Sequence, residues 1–211
     1  MIKRSVLAAF LSLVLLAGHA FAGDAADPEP AKMPPQIKAY KQKTQTLYDR
    51  LKEISEDLSP QEKEHFYTIY NNYNLIGTVK MVQADVGKAV TACGKENPDI
   101  KDKLSGRYKD WNGALNPVLK EAGAHLDNMI AAQDYAAPKK IKALFKAADQ
   151  TREATNKQID KIPVTTPEAC NYLHDKMDDT QKDLVKLLRE TLITVPGDIP
   201  VPEKEPAKKP D

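Results

Sequence analysis

The sequence predicts an all-α protein: an up-and-down bundle of about five amphipathic helices closed by one disulfide. Three observations carry that expectation. Lys, Ala and Leu are the most frequent residues while aromatic residues make up only 6%, a balance that favours helix over sheet. Apolar residues recur at steps of three and four through five successive segments, which gives each segment one stripe to bury. The only cysteines are Cys93 and Cys170, and an even pair in an exported chain is most simply one bridge.

The first segment places Ile37, Tyr40, Thr44, Leu47, Leu51, Ile54 and Leu58 on one face and is expected to end at Leu58. Ser59-Pro60-Gln61-Glu62 follows. Ser59 suits a cap, Pro60 the first helical position, and Glu62 completes a capping box. The second helix is expected from Pro60 to about Cys93, with Phe66, Ile69, Tyr73, Ile76, Val79, Val82, Val86 and Val90 inward and Gly94 as its stop.

Asn97-Pro98 begins the third segment, whose inner face carries Ile100, Leu104, Tyr108, Trp111, Leu115, Val118, Ala122, Leu126 and Met129. Trp111 is the expected anchor of the core. Pro117 removes a hydrogen bond and presses on the carbonyl of Gly113, so a bend is expected there, eased by the missing side chain of Gly113. Pro138 opens a fourth helix with Ile141, Leu144, Phe145, Ala148, Thr151, Thr155 and Ile159 inward, and Pro163 ends it. Thr166-Pro167-Glu168 caps a fifth, striped by Cys170, Leu173, Met177, Thr180, Leu184, Leu187 and Leu188.

Short connections between long amphipathic helices make successive helices antiparallel. The fifth helix then starts at the end where the second finishes, so Cys93 and Cys170 meet, and the first and last helices of a four-helix ring are neighbours. A chain break at Pro117 would reverse every later helix and carry Cys170 on the order of 25–50 Å away. An unbroken third helix and the Cys93–Cys170 bridge therefore stand or fall together.

Residues 1–22 have Lys3 and Arg4, an apolar run from Val6 to Ala17, and Ala20-Phe21-Ala22 before a polar stretch. That is the pattern of a signal peptide cleaved after Ala22. The run is too short for a span of about 20 residues, and no cysteine lies near the cleavage site to take a lipid. The expected location is periplasmic or secreted, without a transmembrane anchor. Residues 23–35 read as a flexible Pro-rich linker, 36–194 as the helical bundle, and 195–211, with five prolines, as a disordered tail.

Several function classes lack support. With 31 basic and 30 acidic side chains, no net field draws in nucleic acid or an anionic membrane. The sequence has no Gly-rich phosphate loop, G-x-S-x-G or H-E-x-x-H, and its cysteines form no C-x-x-C, so the expectation is a protein that is not an enzyme and carries no cofactor. His65 and His125 fall toward one end of the bundle but lack the three or four ligands a zinc site wants. Met81, Met129 and Met177, the interior candidates for a haem ligand, read as gap-filling core residues.

One stretch stands out. Tyr67, Tyr70, Asn71, Asn72, Tyr73 and Asn74 cover most of the circumference of the second helix, and Asn is a weak helix former. Tyr67, Tyr70, Asn71 and Asn74 are the candidate interaction surface, because Tyr joins a large apolar body to a polar tip. Against it stands the reading in which Tyr70 and Tyr73 pack inward and the asparagines are solvated. The fourth helix is rich in Lys139, Lys140, Lys142 and Lys146, the early fifth in Asp175, Asp178 and Asp179, so these two helices are expected to face each other at their charged edges.

Leu58-Ser59-Pro60-Gln61-Glu62 resembles the Leu-Thr-x-x-Gln signature of the small periplasmic stress chaperones. Here the glutamine falls one position early, Glu62 takes its place, and the motif occurs once. The resemblance covers five residues and assigns no family. What it implies is a helical, exported, ATP-independent protein that cradles unfolded clients. Together these readings describe a non-catalytic binding, scaffolding or chaperone-like factor of the bacterial envelope with protein partners in the periplasm. The alternative is a carrier of a metal ion, haem or lipid in or beside the bundle.

Overall fold

The computed structural model describes residues 34–159 and 162–192. The expected leader and tail lie outside these residues, as does residues 23–33 of the expected linker. Five helices follow in order: α1 Pro35–Ser55, α2 Pro60–Glu96, α3 Lys101–Ala132, α4 Pro138–Gln158 and α5 Pro167–Leu192, with a 3-10 turn at Pro98–Ile100 ahead of α3. No strand occurs among the described residues.

The chain divides into two units, residues 1–38 and 39–211. Of the first, the described part is the opening turn of α1, where the Lys38 N–H donates to the Pro34 carbonyl at 3.0 Å. The second holds the bundle.

The capping box forms as expected. Ser59 Oγ accepts from the Glu62 N–H at 3.4 Å, and the Glu62 carboxylate accepts from the Ser59 N–H at 2.8 Å. The turn of residues 56–59 that this cap needs ends α1 at Ser55, one turn before Leu58. Gly94 does not stop α2. It lies buried inside the helix, where a Cβ would sit 3.0 Å from Cγ of Lys101. The helix ends instead at Asn97, whose N–H donates to the Cys93 carbonyl at 2.8 Å.

α3 runs unbroken through Pro117. The later helices therefore keep their alternating directions, and Cys93 and Cys170 meet in a disulfide with Cα atoms 5.8 Å apart. Gly113 plays no part in accommodating the ring, since a Cβ there would meet nothing within 4 Å.

α3 is the central helix, packed against α2 on one side and α5 on the other, with α2 and α5 also in contact and α4 lying on α2. Ile69, Leu104, Trp111, Leu115, Val118, Leu126, Met177, Leu188 and Leu192 belong to the main core, which spans α2, α3 and α5. A second cluster at the capping-box end joins Ile54 of α1, Phe66 of α2, Ala136 of the α3–α4 connection, and Ile141 and Leu144 of α4. A sequential ring of helices is not the arrangement. α4 occupies the flank of α2, and the connection that follows it, extended at Ile159 with φ −90° and ψ 114°, brings the chain to α5 alongside α3.

The buried stripes shift in places. Val82 is 37% exposed and Gln83 is buried instead, because its amide finds partners on α3: Gln83 Nε2 donates to Asn112 Oδ1 at 2.7 Å and to Asn116 Oδ1 at 3.0 Å. On α1 Thr44 is exposed and Lys43 half-buried. Ile159 and Leu187 are exposed.

Candidate functional site

The tyrosine and asparagine stretch of α2 is divided by α4. Tyr73 stacks on Phe145 with ring centroids 3.7 Å apart and planes 7° from parallel, and its hydroxyl donates to Asp149 Oδ2 at 2.7 Å. Burial and then the Asp149 carboxylate push the Tyr73 hydroxyl up to about 12. Arg152, 5.9 Å above the Tyr73 ring, pairs with Asp149 at 2.7 Å and donates through Nη2 to Asn74 Oδ1 at 2.8 Å. This close approach uses a glycine. A Cβ on Gly77 would lie 2.5 Å from the Arg152 guanidinium.

Tyr70 and Asn74 belong to this seam: Asn74 Nδ2 donates to the Tyr70 carbonyl at 3.1 Å, and the Tyr70 side chain packs on the second apolar cluster. Tyr67 and Asn71 point outward. Tyr67, 41% exposed, donates weakly to Ser55 Oγ at 3.4 Å. Asn72, one position on, is buried. The four candidate surface residues thus split into an exposed pair one turn apart and an engaged pair that holds α2 to α4.

Of the histidines, His65 pairs with Tyr135 rather than His125, at 3.0 Å from Nδ1 to the hydroxyl with the rings edge to face. Burial lowers the His65 pKa from its usual value. The Tyr135 hydroxyl is raised, first by burial and then by the charge of Glu62. His174 contacts the Asp175 carboxylate at 3.0 Å. Among the described residues no group of three or more His, Cys, Asp or Glu side chains is placed to hold a metal ion. Met177 is buried in the main core and Met129 packs against it.

The lysines of α4 and the acids of α5 do not complement each other, because α4 lies on α2 and α5 on α3. Lys140 reaches Glu53 of α1 at 3.3 Å, while Arg107 of α3 serves α5, bonding to the Met177 carbonyl at 3.1 Å and to Gln181, with Asp178 at 3.7 Å. Arg107 Nε and Trp111 Nε1 are buried without a hydrogen-bond partner. Neither they nor the Gln83 node was singled out from sequence as a polar site.

No family model, curated protein or solved structure matches this chain.

Proposed function

We propose that this chain is an exported, non-catalytic binding or scaffolding factor of the bacterial envelope, chaperone-like in that it engages other proteins through its bundle surface. The observation that carries the reading is the divided α2 stretch: Tyr67 and Asn71 are presented outward one turn apart, on a helix held by the Tyr73–Phe145 stack and the Arg152 bonds behind them. A rigid tyrosine beside an adaptable amide gives contact area at low entropic cost. The bridge between Cys93 and Cys170 supports an oxidising compartment, and the sequence pattern of residues 1–22 supports export.

A photo-crosslinking residue at position 67 in envelope-competent cells should trap partner proteins, and Asn71→Ala should reduce the yield. Trapping no more than a probe on the far face of α5 would refute the reading. A ligand mass in native mass spectrometry, or visible absorbance, would favour the carrier.

A further inference from the structure

α1 differs from the other helices in how little of it is held. Of residues 39–55 only Ile54 and Ser55 are buried, at the very end, and only Tyr40, Lys43, Leu47 and Leu51 are half-buried. Its polar ties to the body include a 3.3 Å bond from Thr151 Oγ1 to the Lys43 carbonyl and the Lys140–Glu53 pair, whose side chains are 49% and 40% exposed. A pair that open to water contributes little to stability. Beneath α1 lies a strongly apolar floor. Leu47, Leu51 and Ile54 rest in the cluster formed by Phe66, Tyr70, Ile141 and Leu144, three of which are 0–1% exposed. Elements with few buried contacts open locally at far lower cost than the whole fold.

We propose that α1 is a displaceable lid and that the groove under it, between the start of α2 and α4, is a docking site for an amphipathic helix of a partner protein.

The occupant's chemistry is written in α1, which lies antiparallel to α4: Glu53 meets Lys140 at one end and Lys43 lies beside Thr151 at the other. Charge complements along the seam. The Glu53 carboxyl is held low by Arg50 and then Lys140, and Glu153 by Lys157 with a contribution from Lys43. A partner helix that fits carries a base, an apolar residue four positions later, a second four beyond that, and an acid followed at once by a third apolar residue. Leu47, Leu51 and Ile54 set the apolar spacing, which is the helix-in-groove mode of recognition. The site adjoins the Tyr67–Asn71 face, because the Tyr67 hydroxyl donates to Ser55 Oγ at the end of α1 at 3.4 Å, but neither Tyr67 nor Asn71 belongs to its apolar floor.

The test uses the full chain and a labelled peptide of residues 39–58 as the probe helix. In the variant Leu47→Asp/Leu51→Asp the resident lid loses its seat, so the peptide should bind at least about tenfold more tightly than to wild type, because apparent affinity scales with the fraction of open groove. Adding Ile141→Asp should abolish binding, and Asn71→Ala should leave it unchanged. Absence of binding to a variant that retains its helical circular dichroism overturns the proposal, as does equal binding to variant and wild type. If the variant does not fold, hydrogen exchange on wild type decides: α1 amides from Lys43 to Ile54 should be at least about a hundredfold less protected than those of the α2–α3 core, and equal protection refutes the lid. A concentration-dependent dimer in sedimentation, cross-linked from α1 to α4 of the other copy, would also overturn it in favour of exchange of α1 between copies.

Discussion

Replacing both cysteines with alanine isolates the contribution of the bridge. Cys93 and Cys170 close a loop of 77 residues, and the entropy that such a cross-link removes from the unfolded chain corresponds to roughly 4.5 kcal/mol at 25 °C. Alanine is preferred to serine, which would leave a hydroxyl in a site where both residues are buried. The neighbouring Asn97 amide keeps its two carbonyl acceptors in the variant and loses only its weak contact to Cys170 Sγ at 3.6 Å. Urea unfolding followed by far-ultraviolet circular dichroism and by Trp111 fluorescence should therefore show a loss of about 4–5 kcal/mol with coincident transitions. The m-value should rise, because the freed unfolded chain exposes more surface. The melting temperature should fall by roughly 9–18 °C for a domain of this size. A loss below about 1.5 kcal/mol, with m unchanged, would refute the argument that the bridge acts by restricting the unfolded chain.

Other substitutions probe the packing. Trp111→Ala should cost about 3–5 kcal/mol in the same assay, whereas Trp111→Phe, which deletes an N–H that has no partner, should cost under about 1.5 kcal/mol. Gly87→Ala places a Cβ 2.5 Å from the Tyr108 hydroxyl, which donates to the Gln83 carbonyl at 2.8 Å; it should destabilise by about 1–2 kcal/mol despite the gain in helix propensity. Gly106→Ala, where a Cβ meets nothing within 4 Å, should stabilise by roughly 0.8–1 kcal/mol. Burial lowers the His65 pKa from its usual value, so the unfolded chain takes up its proton first as pH falls below about 6.5. Stability is then lost on acidification through that range, and the difference in urea midpoint between pH 7.5 and pH 5.5 should be smaller in His65→Gln than in wild type; an equal difference would show that His65 is not responsible.

Local signals in the sequence translated well into structure where one residue type has one job. Ser59, Pro60 and Glu62 produced the cap they spell, and the cysteines paired because an unbroken α3 leaves them at the same end. What composition and periodicity could not convey is which helices touch. Antiparallel succession leaves α4 free to lie on α2 or between α3 and α5, and the choice is made by side chains far apart in sequence: Tyr73 with Phe145, Asn74 with Arg152. Polar residues misled for the same reason. Gln83 reads as surface until Asn112 and Asn116 are brought opposite it, and nothing local marks Asn72 as buried. The candidate surface was half legible, since Tyr67 and Asn71 face outward while Tyr70 and Asn74 are committed to the α4 seam.

Asn97 closes α2, and its amide also donates to the Cys93 carbonyl at 3.1 Å and to the Thr165 carbonyl at 2.9 Å. One side chain thus fastens the segment leading into α5 to the residue whose sulfur must find Cys170. Both acceptors are main-chain carbonyls, so neither bond is made by the sulfur atoms themselves. The Asn97 side chain and the bridge thus tie the same two segments by independent means, one through main-chain carbonyls and one through sulfur.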